Sequence, residues 1–426
     1  MLEVIDPEAP DKKSKDKAGR KLDTRFARAQ FPAFAEKSLQ GRAHFENAGG
    51  SYTCGQVIDR LTRFYHKRKM QPYGPARPSA KGGAEMDEAR RRLSAMLGVG
   101  EDELHFGPST TANTYTLANA FGRALGPGDA IVVTNQDHEA NSGPWRRLAE
   151  RGVEVREWRL QPETGHLDVS LLARLLDDKV RLVCFPHCSN VIGEVNDVPR
   201  IVTMAHDAGA VTCVDGVSYA PHGLPDVAAL GTDIYLFSAY KTYGPHQGLM
   251  VIRRDLAEAL PAEGHYFNAS TLTKKFTPAG PDHAQVAACA GTADYFDALY
   301  AHHFDAPASP AERAAVVHRL MRRHETKLLQ PLLDMVKDRH DVRLLGPVEA
   351  RLRAPTVALE LIRDAREAAE ELCAHGIMAD GGDFYAVRAL EGSGVDMRNG
   401  VLRVSFVHYT TRQEVDRLMD ALDRVL

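Results

Sequence analysis

The sequence predicts an α/β fold, with a large domain on a mainly parallel sheet followed by a smaller α+β C-terminal domain. Two observations predict it. Between about Ala84 and Arg254, short apolar runs alternate with stretches of helical period, the pattern of helices covering both faces of a parallel sheet. Beyond about Gly264 the alternation gives way to loop-like chain, then helices and a shorter set of strands. At 426 residues, 44% hydrophobic and 26% charged, the chain also exceeds the usual size of one hydrophobic core.

Element by element, the apolar runs Ala130–Thr134, Arg181–Phe185, Val211–Val214, Ile234–Phe237 and Gly248–Ile252 read as strands. Helices are predicted over Met86–Leu97, Thr111–Leu125 and Val198–Ala208, the second directly after a Gly-Pro-Ser-Thr turn. Downstream, helices are expected over Ala284–Leu299 and Ala311–Met335, strands around Asp341–Leu345 and Pro355–Leu361, a helix at Ala365–His375, a strand at Leu402–Val407 and a closing helix from Arg412. The resulting division is a flexible tail over 1–24, an N-terminal segment over 25–83 packed with the small domain, a large domain over 84–270, a linker and interface helix over 271–310, and a small domain over 311–426.

Composition excludes several function classes. The formal charge of −4 and the lack of a long basic stripe argue against nucleic acid or an anionic membrane as partner, so a small-molecule substrate is expected. Six scattered cysteines point to reduced thiols, and the absence of a long apolar run or signal-like start points to the cytoplasm. Cys184 and Cys188 flank His187 but lack the second ligand pair of a metal site, so no metal is expected. No Gly-x-Gly-x-x-Gly turn joins a strand to a helix, which disfavours a nicotinamide dehydrogenase.

In a parallel sheet, ligands gather at the carboxyl ends of the strands. The residues there carry chemistry. After Ile234–Phe237 comes Ser238-Ala-Tyr-Lys241, an amine in small and aromatic surroundings; burial there lowers its pKa, which imine chemistry needs. Asp215 ends the preceding strand and suits a protonated pyridine nitrogen, although a turn aspartate would look the same. Asn190 is placed to donate to a ring oxygen, or to close an Asx turn. His138 offers a flat ring for stacking, or an ordinary loop hydrogen bond. The Gly107-Pro-Ser109-Thr110 turn opens a helix and offers hydroxyls and free N–H groups to a phosphate, or simply caps that helix. The intervals from Asn190 to Asp215 and from Asp215 to Lys241 each fit about one strand–helix–strand crossover.

With these residues in order, the chain resembles the class V aminotransferases, and among them the cysteine desulfurase-like proteins. The likeness runs from Phe45-Glu-Asn-Ala-Gly-Gly50 through Val214-Asp-Gly216 and Ser238-Ala-Tyr-Lys241 to Arg403-Val-Ser-Phe-Val-His-Tyr409. It implies a fold type I transferase with a seven-stranded sheet, pyridoxal 5′-phosphate as cofactor and a homodimer. It further implies that Lys241 forms the internal aldimine and moves the α-proton on the way to a quinonoid, that Asp215 meets the pyridine nitrogen, and that His138 stacks on the ring with Asn190 near its oxygen. Ser109, Thr110, Ser238 and Tyr240 become the phosphate ligands. Arg403 becomes the clamp for a substrate α-carboxylate, a task its planar fork suits, with Asn47 and Ala48 in the strap that closes over the substrate.

The departures bear on the reaction. Where desulfurases carry a nucleophilic cysteine on a loop, this chain reads Gly381-Gly-Asp-Phe-Tyr-Ala386, and Cys373 sits in a helical stretch where a core role is expected. Ser218 stands where relatives place a glutamine under the ring oxygen, Tyr240 where desulfurases have histidine, and Gly280 where a partner subunit usually sends a threonine to the phosphate. Transamination is therefore the favoured reaction, with a cysteine-independent C–S (β-elimination) lyase, a desulfurase-like activity and an amino-acid epimerase as alternatives. A non-catalytic protein of the same fold is the alternative of another class; it would need neither an imine lysine nor a ring-nitrogen carboxylate.

Overall fold

The computed structural model describes residues 20–426. Seven strands form the large sheet: β1 (Leu104–Gly107), β2 (Ala130–Thr134), β3 (Glu154–Trp158), β4 (Val180–Pro186), β5 (Val211–Asp215), β6 (Ile234–Ser238) and β7 (Gly248–Ile252). Their order is β1-β7-β6-β5-β4-β2-β3, and only β7 runs against its neighbours. Both faces are covered, which is why the central strands read as unbroken apolar runs. Alternate residues show the two layers. Val183, Phe185, Val214, Tyr235 and Phe237 join the core under helices Arg77–Leu97 and Ala290–His303, whereas Leu182, Cys184, Cys213, Ile234 and Leu236 join the core under helix Thr110–Ala124.

The five apolar runs fall on strands, and the two strands without such a run lie at the sheet edges. β3 reads Glu-Val-Arg-Glu-Trp, with one exposed and three half-buried residues, and β1 is short and holds His105. Edge position removes the need for continuous apolar sequence.

The second sheet comprises β8 (Val342–Leu344), β9 (Thr356–Leu361), β10 (Asp380–Gly382) and β11 (Val401–Ser405), antiparallel in the order β10-β11-β9-β8. One helix, Pro310–Lys337, serves both domains. Its first half puts Ala314, Val317, Leu320 and Met321 into the large core, and its second half puts Leu328, Leu329, Leu332 and Leu333 into the small one. The expected small-domain boundary at 311 thus falls at the head of a shared helix.

Two further expectations change. The segment 25–83 divides between the domains: Ala27, Phe31, Cys54, Val57 and Phe64 pack into the large core, and only Ala43 and Phe45 enter the small one. The physical reason is the apolar stripe of helix Gly55–Lys67, whose Arg60 also pairs with Asp294 and Glu88. The expected tail over 1–24 lies outside the described residues up to 19, and by Leu22 the chain is packed. Asp23 caps helix Thr24–Ala29 by accepting from Phe26 N at 3.0 Å, and its own N–H donates to His303 Nε2 at 2.8 Å. Among the described residues no helix is long and apolar enough to cross a membrane.

The β1 end and the β6–β7 hairpin meet closely at Gly248, where an added Cβ would come within 2.3 Å of the Ser109 backbone carbon and 2.5 Å of Thr110 N. Gly248→Ala should therefore destabilise the fold by about 1–3 kcal/mol through overpacking and distort the Ser109 turn. Ser309→Ala, which breaks the capping box of helix Pro310–Lys337, should cost about 1 kcal/mol and serves as a control away from that turn. In thermal unfolding both variants should melt lower, but only Gly248→Ala should also shift the Ser109 and Thr110 amide resonances; equal shifts in the two would contradict the geometry.

Candidate active site

Because β2, β4, β5 and β6 are parallel, their carboxyl ends lie on one rim; Asp215 is the last residue of β5, and the loops after β2, β4 and β6 carry His138, Asn190 and Lys241. β1 shares that direction and brings Ser109 to the same rim. Against the rim opens a cavity of about 750 Å³, whose lining includes Lys241, His138, Asn190, Tyr240, Ala48 and Arg403. Asn47 and Ser218 line a small recess that also reaches Lys241. Asp215, Thr110 and Ser238 are buried behind the lining, and Ser109 is half-buried.

Lys241 ends the single turn Ala239–Lys241 after β6 and is only 8% exposed. Burial, and then the charge of Arg403, push its pKa down to about 8, against the opposing pull of Asp215 and Glu46. Asp215 is pushed up to about 6 by burial, partly offset by the Val217 N–H that it accepts at 2.8 Å and by Lys241. A carboxylate and an amine are thereby each moved toward neutrality. His138 accepts the Ala140 N–H on Nδ1 at 3.0 Å, and burial with the neighbouring Lys241 and Arg403 charges lowers it to about 3. It is a neutral ring with its proton assigned to Nε2.

At the rim's other end, Thr110 Oγ1 and Ser238 Oγ lie 2.8 Å apart at the start of the fifteen-residue helix Thr110–Ala124. Ser109 caps that helix by accepting from Ala112 N at 3.1 Å, so its hydroxyl proton stays free to donate. Tyr240 stacks on His246 with centroids 4.9 Å apart and forms a wall. Asn190 Nδ2 donates to Phe384 O at 2.9 Å, which commits one of its two hydrogens and leaves Oδ1 buried without a partner.

The small domain completes the cavity with Arg403, 3% exposed on β11. Asn47 is spent mainly on holding its strap: Nδ2 donates to His44 O and Ser405 O, and Oδ1 accepts from Tyr409 OH. Ala48 N donates to Ser405 Oγ at 2.8 Å.

These groups fit pyridoxal phosphate. Among the described residues the buried Asp215 makes no direct ion pair, the desolvated Lys241 amine lines a cavity large enough for the ring, and two buried hydroxyls meet at a helix N-terminus suited to an anion. Residues 43–418 match the family described as "Aminotransferase class-V". The chain belongs to the class-V aminotransferase family. Members of that family depend on pyridoxal phosphate. An aminotransferase-like protein FGM3 of Gibberella zeae is 33% identical over 414 residues, covering 94% of this chain and 97% of that protein. A cysteine desulfurase of Pectobacterium carotovorum is 32% identical over 417 residues, covering 93% and 97%. In fold, the chain is similar to the cysteine desulfurase CsdA of Escherichia coli, with a TM-score of 0.79, 24% identity and 95% and 99% coverage. It is also similar to the apo cysteine desulfurase of Thermococcus onnurineus, with a TM-score of 0.81, 23% identity and 96% and 98% coverage.

One expectation about this class-V chain is overturned. Cys373 is exposed near the end of helix Ala365–Ala374, on the face away from the buried Ala365, Ala368, Ala369 and Leu372. It is absent from the cavity lining, as are the buried thiols. Three residues of the site escape a sequence reading. Asp137, fully buried, is pushed well above the usual carboxylate range by burial and by Asp215. Phe384 lays its ring 3.8 Å from the Arg403 guanidinium, and Glu46 pairs with that guanidinium. Only Asp137, next to His138 at a strand end, carried a signal that could have singled it out.

In cofactor-free protein, the raised pKa of Asp215 means that stability falls as pH rises from the ordinary value of 3.8 to about 6, and the cost is fully present above that. The shift from an ordinary value of 3.8 to about 6 is worth on the order of 2–3 kcal/mol. Asp215→Asn should therefore raise the apoprotein melting temperature above wild type at pH 8 and lose the advantage near pH 4. An advantage that does not vary with pH would show that Asp215 is not the group responsible.

Proposed function

We propose that this chain is a pyridoxal-phosphate enzyme that transaminates an amino acid bearing a free α-carboxylate. The observation that carries the reading is Lys241, a buried amine with its pKa lowered to about 8, lining a cavity with His138 and Arg403 and backed by Asp215. The lack of any cysteine in the cavity lining favours transamination over sulfur transfer. The family membership and the aminotransferase-like relative support the same class.

Pyridoxal phosphate, when bound, supplies a carbonyl carbon for imine exchange and a ring that takes up electrons from a bond broken at the substrate Cα. The protein's own groups supply the rest. With the cofactor bound, the Asp215 carboxylate would be the partner for a protonated ring nitrogen, and the His138 ring, neutral in its buried position, would pack against it without adding charge. Lys241 Nζ, with its pKa brought down to about 8 by burial, would accept the Cα proton in its neutral form and deliver it again. The Arg403 fork orients the substrate through its carboxylate. The reading includes a homodimer, for which the turn Tyr266–Asn268, with Tyr266 90% and Phe267 67% exposed, offers apolar surface.

The test is a screen of amino acids for keto-acid product, with and without a second keto acid. Product that requires the acceptor supports transamination. Pyruvate with released thiol or sulfide in its absence would replace it with elimination, and inversion at Cα without keto acid would replace it with epimerisation. Lys241→Ala should lower turnover by about 10²–10⁴-fold and abolish covalent trapping of the cofactor by borohydride. The rate of cofactor capture by apoprotein should rise with pH and level off above about 8 as Lys241 loses its proton; a rise continuing toward 10 would show that the amine is not desolvated.

A further inference from the structure

The fork of Arg403 is already occupied by a carboxylate from its own chain. Nη2 donates to Glu46 Oε1, Nη1 donates to Asn190 O at 3.2 Å, and the ring of Phe384 lies 3.8 Å from the guanidinium carbon. A guanidinium grips a carboxylate bidentately along one of two edges, Nη1 with Nη2 or Nε with Nη2. Both edges include Nη2, so Glu46 stands in the way of either grip. Nε has no partner, and neither has the second Glu46 oxygen, Oε2. A buried guanidinium paired with a half-buried carboxylate, each keeping a buried polar atom without a partner, is an incomplete solution to the burial of charge.

The seat of Glu46 is built into the strap. Its backbone bridges Ser405 on β11, and Glu46 O accepts from Gly49 N at 3.1 Å and from Gly50 N at 3.3 Å, so only the side chain is free to leave. A Cβ on Gly49 would lie 2.6 Å from Glu46 Oε1, so glycine there leaves room for the carboxylate. Glu46 and Arg403 both line the large cavity, which gives the displaced carboxylate open space.

We propose that Glu46 is a specificity-determining residue that holds the Arg403 fork in the resting protein, so that a substrate carboxylate binds by displacing it into the cavity. The inference rests on the α-carboxylate reading given above. A ligand without a carboxylate leaves the Glu46–Arg403 pair intact and gains nothing from Arg403. A ligand with one must outcompete an internal carboxylate, so affinity is held down and selection rests on how well the rest of the ligand fits.

The test uses the cofactor-loaded protein with propionate and propionamide as probes, binding being read by ligand-observed NMR alongside KM for the best amino acid in the screen. Glu46→Gln, which keeps the shape and removes the competing charge, should tighten propionate by about 10–100-fold, the worth of a charge-assisted hydrogen bond, and leave propionamide unchanged. Gly49→Ala, which crowds Glu46 out of its seat while keeping its charge, should shift propionate in the same direction. Arg403→Ala should abolish propionate binding in every background. Should Arg403→Ala leave propionate binding intact, the carboxylate-clamp reading itself fails. Should it abolish binding while Glu46→Gln leaves affinity equal or weaker, Glu46 is only a support for Arg403 and the proposal is overturned on its own.

Discussion

An amine buried against the end of a parallel strand is costly unless its charge is offset or removed, and the site is organised around that cost at Lys241. Water is excluded by the turn after β6, by Tyr240 and by the strap over β11, while Arg403 adds a like charge. Asp215 and Glu46 pull the other way. Arg403 and Asp215 are themselves displaced from their ordinary states by burial, the first downward and the second upward. The rim therefore holds several ionisable groups whose protonation is decided by one another, the condition under which modest changes in bound charge become changes in chemistry.

Two cores set the geometry of this cluster. The large sheet aligns β2, β4, β5 and β6 so that their ends share a rim, and its double covering by helices holds those ends rigidly. Arg403 arrives from the small sheet, and helix Pro310–Lys337, shared between both cores, ties the two sheets together. The loop opposite carries the strain: Phe384 and Tyr385 both have positive φ, 53° and 56°, a conformation that costs an L-residue energy. That backbone sets the Phe384 ring against Arg403 and brings Tyr385 to 5.5 Å from His138. Phe384 and Tyr385 thus line the cavity with two aromatic rings, and no cysteine is among its lining residues.

Much of the site was legible because its residues follow strands in a regular order. Lys241, Asp215, Asn190, His138 and Ser109 each come just after a strand or at its last residue, and a parallel sheet brings such positions together without further information. Glu46 was not legible. It precedes Asn47 in a loop-like stretch, and its partner lies 357 residues away. Cys373 failed differently: its helix was correctly placed, but burial depends on which face meets the small core, and the stripe Ala365, Ala368, Ala369 and Leu372 turns Cys373 outward.

By itself the sequence determined the α/β class, the five interior strands, the succession of strand-end side chains and the presence of an arginine on a late strand, because each follows from local periodicity and chain order. Tertiary structure alone decided the protonation of Lys241 and Asp215, the division of residues 25–83 between two cores, and the occupation of the Arg403 fork by Glu46. Those depend on burial and on contacts between segments far apart in the chain. Electrostatic free energy inside a protein is set by distance and by excluded water, and neither is encoded in spacing along the sequence.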